Sequence, residues 1–106
     1  MMLQNANARF RKPVPVILLV EDQALIRMDT AEELRHDGWT VYEAGNADDA
    51  LEQLNAHQDI MALFTDIDMP GSMDGLQLSR MARKGCATIK IVVTSGMQMP
   101  GKTLGQ

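Results

Sequence analysis

The sequence predicts an α/β fold, a doubly wound parallel sheet with helices on both faces. Two observations lead to this prediction. Short apolar runs rich in β-branched residues, typical of strands buried on both faces, alternate with longer segments of helical periodicity. Four predicted strands alternate with three predicted helices, an order that favours parallel strands joined by right-handed crossovers. The 106 residues suffice for one domain with a modest core.

The first strand and helix have the clearest signals. Residues 16–20 (VILLV) are an uninterrupted apolar run. Residues 24–37 then predict a helix that ends at Gly38, since glycine is the usual residue just after a helix. The predicted buried face of this helix has three aliphatic residues, Leu25, Ile26 and Leu34.

A second strand and helix follow directly. Residues 40–43 predict a short strand, and Asn46 is a candidate N-cap for the next helix. Asp48 and Asp49 would lie in its first turn, where negative charge favours the helix dipole. This helix is predicted to run to about His57. Its predicted buried face consists of Ala47, Ala50, Leu51 and Leu54.

The last predicted elements are two strands with a helix between them. Residues 60–65 predict the third strand and residues 88–94 (TIKIVVT) the fourth. Residues 75–84 predict the third helix, with Leu76 and Met81 facing the core. All four strands would be parallel, so their carboxyl ends would lie along one edge of the sheet.

Acidic and hydroxyl residues follow the predicted strands. The segment LFTDIDMPGSMDG (residues 63–75) is an apolar run that ends in two acids, followed by proline and glycine. In open parallel sheets, ligands bind outside the carboxyl ends of the strands. The residues at these ends are Glu21 and Asp22, Glu43, Asp66 and Asp68, and Thr94 and Ser95. If the first and third strands are neighbours, Glu21, Asp22 and Asp66 converge.

Three converging acids need a cation or a raised pKa. Two like charges ~4 Å apart repel by about 4 kcal/mol at an effective dielectric constant of ~20. A few carboxylates with water suit Mg²⁺, which pairs readily with phosphate oxygens, and a carboxylate beside it can accept a phosphoryl group. Thr94 and Ser95 could then offer hydroxyls to the phosphoryl oxygens. The alternative is that the acids merely cap turns.

Composition and charge exclude other classes of function. The net charge of −4 argues against a nucleic-acid surface, which is normally basic. The longest apolar stretch, residues 14–20, contains Pro15 and is too short to span a bilayer. No apolar signal-peptide segment is present, and the single cysteine, Cys86, excludes an internal disulfide. These features favour a cytoplasmic protein without a membrane segment.

Three motifs together resemble the receiver domain of bacterial two-component response regulators. VILLVED, LFTDIDMPGSMDG and IVVTSG have the order and intervals of that family, and the resemblance covers residues 16–96. It implies a flavodoxin-like sheet with strand order 2-1-3-4. It also implies that Asp66 accepts a phosphoryl group from a histidine kinase or a phosphotransfer protein.

The resemblance further implies a Mg²⁺ site and a switch residue. Glu21, Asp22 and Asp66 would hold the ion, with the backbone carbonyl of Asp68 as another ligand. Thr94 would turn its hydroxyl toward the phosphoryl group. Such a domain is a signalling protein rather than an enzyme, with at most self-catalysed phosphorylation and dephosphorylation. Its output would pass through contacts with an unidentified downstream protein.

The chain departs from the family after the fourth strand. The family's last two helices, fifth strand and the lysine that ends that strand are not recognisable here, and neither Lys90 nor Lys102 is placed to substitute. The sequence therefore predicts a flexible arm at residues 1–15, the receiver domain at 16–96 and an irregular tail at 97–106. The fourth strand would be an apolar edge, which predicts self-association through it.

Two other functions are compatible with the same acids. A degenerate receiver would bind partners without being phosphorylated, and the missing lysine favours it. A phosphatase of the haloacid dehalogenase type would use Asp66 as nucleophile and Asp68 as general acid. That class does not explain Glu21 and Asp22 after an earlier strand.

Overall fold

Strands and helices alternate throughout residues 14–95, the part of the chain that the computed structural model describes. The strands are β1 (Val16–Val20), β2 (Thr40–Ala44), β3 (Ala62–Asp66) and β4 (Lys90–Thr94). The helices are α1 (Ala24–His36), α2 (Ala47–Ala56) and α3 (Gly75–Gly85). Most of the predicted arm (1–15) and the whole predicted tail (97–106) lie outside the described residues, and both stay predictions.

The four strands form one parallel sheet in the order β2-β1-β3-β4. This confirms the predicted fold class and strand order. The register aligns the carboxyl ends of the strands, because Val20 is paired with Ala44 on one side and with Thr65 on the other. At the next step Asp66 is paired with Thr94. The residues just beyond these pairs therefore share one edge of the sheet.

The core has two halves, one on each face of the sheet. All five residues of β1 are buried, as expected for a strand with a neighbour on both sides and helices on both faces. Leu18 and Val20 pack on the side of α2 and α3, and Ile17 and Leu19 on the side of α1. Because β1 is central, its sequence does not alternate between polar and apolar residues.

The prediction for the buried face of α1 is partly wrong. Ile26 is buried and Leu34 packs against the core, as predicted. Leu25, however, is 70% exposed, and the small side chain of Ala31 is buried in its place on the inner face. The prediction for α2 is confirmed, since Ala47 and Ala50 are buried and the two leucines pack on the core.

The prediction for the buried face of α3 is wrong. Leu76 and Met81 are 43% and 45% exposed. The buried residues are Gly75, Leu78 and Ala82, which recur at intervals of three and four along the helix. Two of these are small, so α3 lies close against its neighbours, while Leu76 and Met81 face outward.

Strand β4 forms one border of the sheet within residues 14–95. Its pairing partner there is β3, and Val92 is 54% exposed on the sheet surface. Three helices and four strands make up this described part, and a fifth strand does not occur in it. Self-association through β4 stays a prediction. None of the helices between residues 14 and 95 has the length and apolarity needed to cross a bilayer.

Candidate functional site

The carboxyl ends of β1 and β3 bring three acids together. Glu21 and Asp22 follow β1 directly, and Asp66 is the last residue of β3. One carboxylate oxygen from each residue lies within 4.8 Å of the other two. The predicted convergence of these acids is therefore confirmed, and it follows from the position of β1 beside β3.

Glu21 is the most buried of the three acids, with 1% of its surface exposed. Burial raises its pKa from 4.5 to about 7, because a charged carboxylate loses its hydration there. The Gln23 backbone N–H, which donates to Glu21 Oε2 over 2.7 Å, opposes this rise. Asp22 and Asp66 raise the pKa further by proximity. The site therefore resists carrying all three negative charges without a cation.

This raised pKa predicts how the stability of the metal-free protein depends on pH. Folded Glu21 keeps a proton that the unfolded chain releases above pH 4.5, so stability falls as pH rises from 4.5 to 7. The full shift corresponds to roughly 3 kcal/mol, which is present below pH 4.5 and lost above pH 7. We expect urea unfolding in EDTA to show this loss between pH 4.5 and about pH 7.

Glu21→Gln is the control for that measurement. The amide cannot titrate, so the variant should lose less stability than the wild type over the same pH interval. The remaining slope reports the other titratable groups. An equal slope in both proteins would contradict the assignment to Glu21.

Asp66 is a buried carboxylate at the carboxyl-terminal end of β3. It is 8% exposed, and its Oδ1 accepts a hydrogen bond from the Asp68 backbone N–H over 3.3 Å. The side chain of Asp68 is exposed and does not belong to the cluster of three acids. The two acids of the segment LFTDIDMPGSMDG thus have different surroundings, and only the first joins the cluster.

Thr94 lies beside Asp66 on the neighbouring strand. The two residues are register partners, and the Ile67 backbone N–H donates to the Thr94 carbonyl oxygen over 2.8 Å. Ser95 follows as an exposed residue just beyond β4. The sheet therefore places a hydroxyl residue next to the cluster, as the sequence predicted.

Helix α3 begins against the backbone of Asp66. Asp74 caps it, accepting from the Gln77 N–H over 2.9 Å while the Gln77 side chain accepts from the Asp74 N–H over 3.1 Å. The Gly75 N–H donates to the Ile67 carbonyl over 3.0 Å. A Cβ on Gly75 would overlap the carbonyl oxygen of Asp66 and lie 2.8 Å from its carbonyl carbon. Glycine is therefore required here by close approach, which the sequence signalled only as a helix start.

Glu43 does not join the cluster of acids. It forms ion pairs with two arginines of α1, at 3.4 Å from Arg27 Nε and 3.2 Å from Arg35 Nη2. Arg27 also donates to the Glu21 carbonyl oxygen. Sequence reasoning missed Arg27, because it lies six residues from Glu21 and no motif marks it.

The three carboxylates fit a hard divalent cation. Their ligand atoms are all oxygens, and burial together with the two neighbouring acids raises the pKa of Glu21. Mg²⁺ binds such sites through a few carboxylates and keeps several waters. The donor set therefore suits Mg²⁺, and Thr94 is the register partner of Asp66 on the neighbouring strand.

Comparison with known proteins gives consistent matches. A family model described as the response regulator receiver domain matches residues 17–103. The transcriptional regulatory protein PdtaR of Mycobacterium tuberculosis is 39% identical over 84 residues, covering 77% of this chain and 40% of PdtaR. The sensor kinase CckA of Brucella abortus is 40% identical over 83 residues, covering 76% of this chain.

Solved structures agree with the sequence relatives. The response regulator protein TrrA from Thermotoga maritima, crystallised in complex with Mg²⁺-BeF, superposes with a TM-score of 0.70 at 32% identity. The superposition covers 74% of this chain and 67% of TrrA. The chain spans well under half the length of the two sequence relatives, 40% of PdtaR and 8% of CckA.

Proposed function

The chain belongs to the response regulator receiver domain family of two-component systems, and from this we propose that it accepts a phosphoryl group on Asp66 in a Mg²⁺-dependent reaction. One observation carries the proposal: Glu21, Asp22 and Asp66 offer carboxylate oxygens within 4.8 Å of one another at the end of β1 and β3. Receiver domains are signalling domains and are not generally classed as enzymes. Catalysis would be limited to the domain's own phosphorylation and dephosphorylation.

Asp66 is the nucleophile of the proposed reaction. Its carboxylate oxygen forms a bond to phosphorus while the bond between phosphorus and the donor's histidine nitrogen breaks. The electron pair of the broken bond stays on the imidazole, which takes up a proton. Enzymes of phosphoryl transfer work mainly by positioning and charge stabilisation. The buried end of β3 and the hydrogen bond from the Asp68 N–H supply that positioning here.

The metal ligands in this proposal are the carboxylates of Glu21, Asp22 and Asp66, with the backbone carbonyl of Asp68 as a fourth. When bound, Mg²⁺ would neutralise the acids and stabilise charge on the transferred phosphoryl group. The Mg²⁺-BeF complex of TrrA supports a divalent ion in this fold. Thr94, the register partner of Asp66, would offer its hydroxyl to a phosphoryl oxygen, and the neighbouring Ser95 would contribute a second polar group.

The partners follow from the family. Receiver domains act with histidine kinases or phosphotransfer proteins, and the relatives of this chain include sensor kinases. We place such a donor and this chain in the cytoplasm, and the output passes through a downstream protein that recognises the phosphorylated state. Among residues 14–95, β4 pairs with β3 alone, and its other border supports self-association as an additional contact.

Intact-mass analysis after incubation with acetyl phosphate and Mg²⁺ tests this function. We expect a gain of one phosphoryl group in the wild type, none in Asp66→Asn and none in EDTA. Asp68→Asn is the matched control, since it makes the same chemical change two residues away. It should still gain the group, because only the backbone of Asp68 is proposed to take part.

Other outcomes would identify another function. No gain in a folded wild type would contradict the proposal and favour a degenerate receiver that only binds partners. Continuing release of inorganic phosphate by the wild type, lost in both Asp66→Asn and Asp68→Asn, would point to a phosphatase. A gain that persists in Asp66→Asn would place the acceptor elsewhere.

A further inference from the structure

Arg27 of α1 connects that helix to the acidic cluster. Its guanidinium Nη1 donates to the backbone carbonyl oxygen of Glu21 over 2.7 Å. The side chain is 21% exposed, so water competes little for this bond. A hydrogen bond from a charged donor is about twice as strong as one between neutral groups. Arg27 therefore holds the chain at the point where β1 has ended.

The peptide that Arg27 holds is the one between Glu21 and Asp22. A peptide unit is planar, so fixing its carbonyl oxygen fixes the Cα atoms on both sides. The Glu21 N–H is held separately, by the Ala44 carbonyl of β2 over 3.1 Å. Without Arg27 this peptide loses the hydrogen bond that holds its carbonyl, and the Cα atoms that carry both acidic side chains are then less firmly restrained.

Arg27 is itself held in place. Glu43 Oε1 lies 3.4 Å from its Nε, and Glu43 Oε2 in turn pairs with Arg35. The absence of a side chain at Gly45 leaves space for the guanidinium, since a Cβ there would lie 3.3 Å from Nη1. The guanidinium thus connects the end of β1 to β2. Glu43 holds it independently of the carboxylates of Glu21 and Asp22.

We propose that Arg27 is a positioning residue of the acidic site, which orients the Glu21–Asp22 peptide so that both carboxylates can bind one divalent cation. This inference rests on the proposed function, because it assigns Glu21 and Asp22 to the Mg²⁺ site. Among residues 14–95, Arg27 hydrogen-bonds to a backbone carbonyl of the site and to none of the proposed ligand oxygens.

Arg35 offers a matched control. Like Arg27, it lies on α1, pairs with Glu43 and donates to one backbone carbonyl, that of Val41, over 2.8 Å. The two arginines differ in which carbonyl they hold, because Val41 lies within β2 and away from the acids. Methionine replaces either side chain with an unbranched one of good helix propensity. Arg27→Met and Arg35→Met therefore lose the same kinds of contact, one ion pair and one hydrogen bond to a backbone carbonyl, and only Arg27→Met loses the bond to Glu21.

The experiment measures Mg²⁺ affinity of the 106-residue chain by titration calorimetry, at a temperature where each variant is folded by circular dichroism. We expect Arg27→Met to bind Mg²⁺ about tenfold more weakly, the usual effect of removing a group that orients a metal ligand. Arg35→Met should stay within about twofold of the wild type. Arg27→Lys keeps the charge but cannot contact the Glu21 carbonyl and Glu43 through two separate guanidinium nitrogens, so an intermediate loss of Mg²⁺ affinity is expected.

The sign of the effect separates positioning from simple electrostatics. Removing a cation near the acids would by itself strengthen Mg²⁺ binding, so tighter binding in Arg27→Met would overturn the inference. Equal losses in Arg27→Met and Arg35→Met would also overturn it, since the cause would then be a general loosening of α1. If Arg27→Met does not fold, Arg27→Lys against Arg35→Lys gives the same comparison. A folded wild type that binds no Mg²⁺ would overturn the proposed function and this inference together.

Discussion

Replacing Gly75 with alanine is expected to lower the free energy of unfolding by about 2–3 kcal/mol or more, a large effect for the addition of one methyl group. The added Cβ would overlap the Asp66 carbonyl oxygen and lie 3.0 Å from the Ile67 Cα. These are backbone atoms at the end of a central strand, so they cannot move aside as a flexible side chain can. Either α3 or the end of β3 must shift.

The consequence should extend from stability to function. A shift of the Asp66 backbone moves the proposed phosphoacceptor away from Glu21 and Asp22. We therefore expect Gly75→Ala to lose most of its Mg²⁺-dependent phosphoryl gain even at a temperature where it is folded. Urea unfolding and intact-mass analysis measure the two effects.

Gly85, at the other end of α3, provides the control. A Cβ at Gly85 would meet no atom within 4 Å, and its backbone is not in the left-handed region. Alanine is the better helix former, so Gly85→Ala should be neutral or more stable by up to about 1 kcal/mol. Equal effects of the two substitutions would show that close approach at Asp66 is not the constraint.

Leu78→Ala is expected to destabilise the protein by about 2–5 kcal/mol, the range for truncating a buried leucine. Leu78 has no exposed surface and packs in the half of the core between the sheet, α2 and α3. Removing its side chain leaves a cavity that the surrounding strands cannot fill. The midpoint of urea unfolding, at unchanged slope, measures the loss.

Leu76→Ala makes the same substitution two residues earlier on the same helix. Because Leu76 is 43% exposed, its truncation should change the free energy of unfolding by no more than about 0.5 kcal/mol. A large loss in Leu76→Ala with little loss in Leu78→Ala would mean that α3 buries the face predicted from the sequence.

That prediction for α3 failed for a physical reason. Leu76 and Met81 were assigned to the core from their hydrophobicity, although Leu78 on another face of the same helix is equally apolar. The helix instead buries the face formed by Gly75, Leu78 and Ala82, where two small residues allow it to approach its neighbours closely. Leu25 on α1 is exposed in the same way, while Ala31 is buried. Which apolar face a helix buries depends on its distance from its neighbours, and periodicity alone does not contain that distance.

The strands were predicted more reliably than the helix faces. The run VILLV is apolar throughout because β1 is paired on both sides and covered on both faces. All five of its residues are buried, so its sequence is compatible only with a central strand. The ends of the other strands shifted by one or two residues, as at β3, which runs from Ala62 to Asp66. Such ends depend on which hydrogen bonds the neighbouring strand can offer.

The acidic cluster was predictable because it depends on topology. Once β1 lies beside β3, residues that follow these strands must meet, and the positions of Glu21, Asp22 and Asp66 required no knowledge of side-chain geometry. The supporting contacts were not predictable. Arg27 and Gly75 act through backbone carbonyls, which every residue has, so no residue type in the sequence marks their targets.

The burial of Glu21 has a further consequence for how the site would respond to its surroundings. With a pKa of about 7, Glu21 is protonated in a large fraction of metal-free molecules at neutral pH. A divalent cation that binds Glu21 must displace this proton, so loading of the site is an exchange of one cation for another. Acidification would then act as a competitor for the metal. Under the proposed function, Mg²⁺-dependent phosphorylation of Asp66 would therefore weaken as the pH falls below about 7.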